Sequence, residues 1–575
     1  MNYADNFLLS HRLLEENGFL QHIYGALSSM DLSAAVLGAL QGMCITRSLP
    51  YIPKTEKNVA LSSICRNEGN DHFNSECYQK ALECYNKALL FAPKGSMELI
   101  LAISNRSALL FKLKAYSASF HDIETCLKLG CSGGLLEKLK KRKVSCTNMI
   151  ASEMYKTFSL VHGFPEEFFK FNEKKHPEIP CLSADVDIIS ISGEKRVAAS
   201  KDIEIGTVVV VETAFATCSA RDKSQVACYF CQKMSFNLIP CDNCCYALFC
   251  STECQKRCVS EYHDIECQIM SVLEALSEGS KFRLIIKTVF KLIKKCKTWS
   301  KLIEESNIGA NVRLNTSSLG QIYNVENYSS MLCFNENYHF VHGILYNHSF
   351  MYAIVIHYLE KISGFFPATP RDLEAKKCFA ELCMRLGMMY PYVTEMNSTA
   401  ENFSDMQIRS DNAPSHFGLF ALTGKLNHSC DPNVVVIGLN NRVALVAVKP
   451  IKKMTEITIS KIGHYYDRYY GNKRAPHLYT TTLTACSCHI CHGSWGINLL
   501  KRDLNPQQKK IVQKWKKSKQ MFTCSLQDRG HFKDNCYALS KLEELVNTAE
   551  HIKIYGEFRS QLGLFQYAAT LNSMI

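Results

Sequence analysis

Residues 228–267 read CYFCQKMSFNLIPCDNCCYALFCSTECQKRCVSEYHDIEC, and the spacing of their cysteines governs how the rest of the chain is read. Nine of the 28 Cys fall here, and the regular ones form pairs: Cys228-x2-Cys231, Cys241-x2-Cys244, Cys250-x3-Cys254 and His263-x3-Cys267. A C-x2-C turn, or an x3 pair on one helical turn, holds two donor atoms about 4 Å apart, which is one edge of a ligand tetrahedron. Four such pairs suffice for two tetrahedral zinc ions. We expect Cys228, Cys231, Cys250 and Cys254 on one ion and Cys241, Cys244, His263 and Cys267 on the other; sequential pairing is the alternative that spacing leaves open. A thiol-rich core strip would not end in His-x3-Cys. Cys245 and Cys258 are left over.

Around this stretch lie 575 residues, 47% hydrophobic and 21% charged, a folded composition long enough for several cores. The excess of 66 Lys and Arg over 54 Asp and Glu gives +12, weak for a dedicated nucleic-acid binder. Six Lys between 509 and 519 surround Trp515, but their helical spacing reads as a solvated face, so direct nucleic-acid binding is not expected. No basic segment leads directly into an apolar core at the start, and the apolar run Leu32–Met43 is too short to cross a bilayer. Clustered thiols in a long chain without a signal point to a reducing cytoplasm or nucleus, with no membrane role.

Residues 59–150 show paired amphipathic helices. Gly69, Asn70, Phe73, Tyr78, Ala81, Tyr85, Ala88 and Pro93 are followed by Asn105, Arg106, Ala108, Tyr116, Ser119 and Asp122. Asn70 and Asn105 are 35 residues apart, near the ~34-residue period of a helical-hairpin repeat, and a helix over 134–149 is placed to cap the stack. Residues 1–58 read as helical without a further signal.

Further on, Leu426-Asn-His-Ser-Cys-Asp-Pro-Asn433 precedes strands over 434–439 and 443–448 and the run Thr455-Glu-Ile-Thr-Ile-Ser460. Three clustered thiols, Cys486, Cys488 and Cys491, need a fourth ligand, for which Cys430 is the candidate. Residues 185–220 alternate apolar and polar as strands do.

These features resemble known modules. The 228–267 spacing is similar to the MYND zinc finger, which binds partner peptides. Residues 59–150 resemble TPR repeats, and Arg66, Asn70, Asn105, Lys138 and Arg142 match the clamp that grips the C-terminal tail of heat-shock chaperones. The competing readings for the run 138–143 are a solvated helix face and a nuclear-localisation signal. The remainder resembles a SET domain, and the order resembles the SET and MYND domain-containing family, closest to its TPR-bearing member. That implies a multidomain α+β chain: helical segment 1–58, TPR-like repeats 59–150, first SET half 181–220, MYND finger 228–267, helical insert 268–400, second SET half 401–465, post-SET segment 484–493 and a C-terminal helical region 500–575 that is short for the family. It also implies three zinc ions, two in the finger and one in the post-SET segment.

The activity implied is transfer of a methyl group from S-adenosylmethionine to a lysine of a histone or other protein. Asn427 and His428 match the family's cofactor-binding pair, with Asn397 (or Asn402), Tyr328 and Lys195 as further cofactor candidates. The pattern departs at Lys461, where the family has its catalytic Tyr. A lysine offers no phenol, and its cation would repel a protonated substrate and a sulfonium alike. Tyr465 or Tyr466 would have to replace it. Thr484 stands where the family has a Phe, and Glu194-Lys195 where it has Gly-Arg. The competing reading is a catalytically degenerate SET-MYND zinc adaptor that recruits proteins linked to transcription or chaperones.

Overall fold

The computed structural model describes residues 3–151, 169–171, 174–191, 194–219, 225–276, 280–311, 342–388, 393–396, 416–429 and 432–461. It opens with helices α1 (Tyr3–Glu16), α2 (Phe19–Ser28) and α3 (Leu32–Ile45). The Asp31 carboxylate caps α3 by accepting from Ala34 N at 3.0 Å. Ala35, Val36, Ala39, Leu40 and Met43 of α3 are all buried, as an apolar helix enclosed by others must be.

Two antiparallel hairpins follow, α4 (Val59–Asn74) with α5 (Tyr78–Phe91) and α6 (Met97–Lys112) with α7 (Tyr116–Lys128), closed by α8 (Gly133–Ala151). Asn58 and Ser96 cap α4 and α6 through their side-chain oxygens. Helices α4 and α5 approach so closely at Gly69 that a Cβ there would lie 2.6 Å from the Tyr85 ring.

The sheet region begins with hairpin β1 (Val186–Ile191) and β2 (Glu194–Ala199), then β3 (Val208–Thr213) and β4 (Ala216–Ser219). A Cys-rich module comes next, with the short hairpin β5 (Ile239–Pro240) and β6 (Leu248–Phe249) and helix α9 (Thr252–Cys258), which runs on into a π turn over Val259–His263. Helices α10 (Met270–Leu276), α11 (Ser280–Cys296), α12 (Trp299–Asn311), α13 (His342–Leu359) and α14 (Asp372–Met388) lead back to β7 (Val393–Met396), β8 (His416–Leu419), β9 (Asn427–His428), β10 (Val434–Leu439), β11 (Arg442–Ala447) and β12 (Thr458–Ile459).

Strands distant in sequence interlock. β11 lies between β10 and β3, β8 between β4 and β7, all antiparallel, while β9 pairs with β12 in parallel. Val209 and Val210 of β3 share one core with Leu426, Val434, Leu445 and Ile457. Residues 3–45, silent in the sequence, complete the helical insert: α3 packs on α13 and α14. The connecting segment is pinned as well, because Tyr358 Oη donates to Pro50 O at 3.0 Å and accepts from Ile52 N at 2.6 Å. No helix among the described residues is long and apolar enough to cross a membrane.

Two imidazoles sit in these cores. Burial pushes His348 (α13) and His416 (β8) down from 6.5 to about 4, even though His416 Nε2 donates to the Asn440 carbonyl. The unfolded chain takes up these protons below about pH 6.5 and the folded chain only near pH 4. Their stabilisation is therefore intact above 6.5 and is lost as pH falls from 6.5 to 4, by roughly 3 kcal/mol for each group. The melting temperature is expected to fall over that window, with a shallower slope in His416→Gln. An unchanged slope in the variant would contradict the buried neutral imidazole.

Candidate functional site

In the Cys-rich module the β5–β6 hairpin and α9 draw distant pairs together. Donor atoms of Cys228, Cys231, Cys250 and Cys254 lie within 4.8 Å of one another, and so do those of Cys241, Cys244, His263 and Cys267. The arrangement is interleaved, the first of the two pairings the spacing allowed. Within the quartets, Cys231 and Cys254 each stand 3.6 Å from Cys250 Sγ, Cys241 and Cys267 are 3.9 Å apart, and Cys244 Sγ is 3.6 Å from His263 Nε2. Ser251 caps α9 through Cys254 N at 3.1 Å and so fixes the turn that carries that thiol.

His263 Nδ1 faces the buried Glu266 carboxylate at 3.1 Å, which leaves Nε2 as the donor toward the quartet. Complete burial would raise the Glu266 carboxyl, but the Lys287 and His263 charges hold it below its ordinary value. Lys287 reaches in from α11, 3.9 Å from the Tyr229 ring centre, and donates to Thr217 O at 2.9 Å. Hydrogen bonds from Cys244 and Cys267 pull the Cys241 thiol far down, while Cys244 is pushed well up by its contacts with Cys241 and Cys267. Three or four thiolates this close repel one another without a cation, and a tetrahedral divalent ion of the zinc type would satisfy each quartet. Four protein donors around such an ion would leave no ligand position for water, as in structural rather than catalytic sites. Cys245 is buried beside Thr55 O rather than in a quartet.

Helices α5–α7 are docked on this module. Arg106 and Asp122, both buried, form a double contact at 2.8 Å, and Arg106 also donates to Leu238 O at 2.9 Å. Asn237 Nδ2 donates to Asp122 Oδ1 at 2.7 Å, and Met234 and Phe236 pack among Leu82, Tyr85 and Leu110. In the sequence, Arg106 and Asp122 stood out only as repeat positions.

The clamp candidates are partly spent inside the stack. Asn70 Oδ1 accepts from Asn105 Nδ2 at 2.7 Å and Tyr85 Oη at 3.0 Å. Arg142 turns inward, donating to Ser107 Oγ at 2.7 Å and Ser104 O at 3.2 Å. Lys138 is exposed, and Arg66 Nε is buried without a hydrogen-bond partner.

The second site gathers around β9 and β12. Thr458 and Ile459 lie beside Asn427 and His428, and Asn433 ties them further, its Nδ2 donating to Glu456 O and its Oδ1 accepting from Thr458 N. Glu212 at the end of β3 is fully buried and accepts from Leu422 N, Thr423 N and Thr423 Oγ1 at 2.7–2.8 Å, fixing the turn that leads into Asn427. Burial keeps its carboxyl above the ordinary range against those donors. Glu456 Oε1 accepts from Asn427 Nδ2 at 2.6 Å and from Arg196 of β2 at 3.0 Å.

Lys461 N donates to His428 Nδ1 at 3.0 Å, and its Nζ lies 3.2 Å from Gly424 O. Burial lowers its ammonium to about 8. Lys195 occupies β2 opposite Ser190. Tyr328, Asn397, Tyr465, Cys430, Cys486, Cys488 and Cys491 lie outside the described residues. Sequence reading missed Glu212, Glu456 and Arg196. The available signal was a carboxylate inside each apolar run, Val208–Glu212 and Thr455–Ser460.

Residues 195–460 match the SET domain family model, a span that starts in β2 and ends just after β12. The chain is 23% identical to the protein-lysine N-methyltransferase SMYD4 of Gallus gallus over 85% of this chain and 79% of that protein. It is 22% identical to SMYD4 of Homo sapiens over 74% of this chain and 66% of that protein. With the histone-lysine N-methyltransferase ASHR1 of Arabidopsis thaliana it shares 26% identity over 30% of this chain and 36% of that protein. The fold and the β9–β12 site are therefore those of a SET-domain protein. Within that class, the chain is similar over most of its length to protein-lysine N-methyltransferases of the SMYD4 type.

Cys241→Ser is expected to lower the zinc content of purified protein by one ion per chain and the melting temperature by about 5 °C or more. Elemental analysis and calorimetry read both. Unchanged zinc would contradict the quartet.

Proposed function

We propose that this chain transfers a methyl group from S-adenosylmethionine to a lysine Nζ of a protein substrate. The observation that carries the reading is the SET match falling on the strands that place Asn427 and His428 beside residues 458–461. When bound, S-adenosylmethionine supplies an electrophilic methyl carbon on a sulfonium. The chain's part is to hold the cofactor through Asn427 and His428, line up the incoming amine, and keep water away from it. The adaptor reading rests on the Lys461 departure, and the SET match does not favour it.

Lys461 stands where the resemblance placed a catalytic Tyr. Its charge disfavours a neighbouring sulfonium, and its lowered value lets that charge go only slightly above neutral pH. Zinc in both quartets, with a third ion in the post-SET thiols, belongs to the same reading. Helices α4–α8 we read as TPR-like, with Arg66, Asn70, Asn105 and Lys138 facing a carboxylate-ended peptide such as a chaperone tail; Arg142 is engaged with Ser104 and Ser107. Thiol ligation suits a reducing compartment, cytoplasm or nucleus.

Calorimetry should show micromolar binding of S-adenosylmethionine, weakened about tenfold but still measurable in Asn427→Ala. Absence of binding by zinc-replete protein would overturn the reading. The affinity for S-adenosylmethionine relative to S-adenosylhomocysteine, which lacks the sulfonium charge, is expected to rise severalfold between pH 7 and 9 as Lys461 deprotonates. Lys461→Met should flatten that profile. A flat profile in the parent protein would place the Lys461 charge away from the sulfonium.

A further inference from the structure

Asn427 is a side chain with two faces. Its amide has a donor end and an acceptor end, and which end meets a ligand depends on what holds the other. Here the orientation is set by one of the two N–H groups: Nδ2 lies 2.6 Å from Glu456 Oε1, a partner that, as a carboxylate, can only accept. Glu456 is held in turn by Arg196, whose Nη1 donates to both carboxylate oxygens at 3.0 and 3.2 Å. The two are about three-quarters covered, at 28% and 24% exposure, so solvent only partly screens their charges. The backbone fixes the rest. Met454–Ile457 runs against Val197–Ala199 through hydrogen bonds of 2.8–3.0 Å, which sets Glu456 opposite the first half of the split domain and next to β9 of the second.

We infer that Glu456, anchored by Arg196, is a positioning residue that fixes the orientation of the Asn427 amide so that its carbonyl oxygen, on the side away from Glu456, is offered to the cofactor. The complementary group is a hydrogen-bond donor of the cofactor: an ammonium, an exocyclic amine or a ribose hydroxyl. The inference rests on the cofactor-binding role proposed for Asn427. It adds that Arg196 of the first half governs this contact from behind Asn427, through the Glu456 carboxylate.

Exchanging the charges separates positioning from mere stability. In R196E/E456R the cross-half ion pair can re-form, but the guanidinium now beside Asn427 is a pure donor, so it takes the amide oxygen and turns the NH2 toward the ligand. The expected result is a melting temperature near that of the parent, with S-adenosylmethionine bound at least about tenfold more weakly by calorimetry. Parent-like affinity in the folded double variant would overturn the inference.

A cycle of N427A, E456A and their combination guards against a swap that fails to fold. If Glu456 acts through Asn427, E456A weakens binding in the parent and adds nothing to N427A, while it lowers the melting temperature in both. Additive losses of affinity would overturn the inference. Repeating the titrations with 5′-methylthioadenosine, which lacks the ammonium, identifies the donor: an E456A loss confined to S-adenosylmethionine assigns it to the ammonium, and an equal loss to the nucleoside. Failure of the parent protein to bind either ligand would instead remove the cofactor reading itself.

Discussion

The parallel pairing of Asn427 and His428 with Thr458 and Ile459 is the contact on which the rest of the site depends. Parallel neighbours need a crossover, and here it is the β10–β11 hairpin, whose second strand docks on β3. The site closes only when strands on either side of the long excursion between β4 and β7 have met. Loop closure grows slowly with length, each doubling of the excursion costing only about 0.6 kcal/mol, which is why a metal module and a helical bundle can sit inside the domain. Buried Glu212 and the Arg196–Glu456 pair then bind the first half to the turn and strand that carry Asn427.

The Cys-rich module works as a bracket in this arrangement. One side receives α5–α7 through Arg106, Asp122 and Asn237, and the other receives α11 through Lys287, which lies over the Tyr229 ring. The segment before α4 touches it as well, where Tyr246 Oη donates to Thr55 Oγ1 at 2.7 Å. The two ligand quartets thus do more than order their own loops. They hold the surface on which the helical stack and the insert both rest, and much of the loop between Cys231 and Cys241 is covered by the chain's own helices.

What could be read from the sequence was what local chemistry dictates. The four ligand pairs, the apolar run Val208–Glu212, the hairpin strands after Asn433 and the helical spacing of 59–150 each announce themselves within a few residues. What stayed hidden was long-range and polar. Nothing within 3–45 says that α3 lies against α13 and α14, because an apolar helix names no partner. Arg106 and Asp122 look like surface repeat positions until the loop around Leu238 covers them. Arg142 suited a ligand-facing role by helical position, yet Ser104 and Ser107 offered it acceptors inside the stack. Glu456 sits in an apolar run that gives it no partner locally, and Arg196, 260 positions away, supplies one in the fold.

The most direct check on the site is amide hydrogen exchange of the whole zinc-loaded chain with and without S-adenosylmethionine. The structure predicts slowed exchange concentrated in 422–429, 454–461 and 197–199, the segments that meet at β9 and β12, with little change in α4–α8. Protection elsewhere, or none at all, would contradict a cofactor site built where the two halves join.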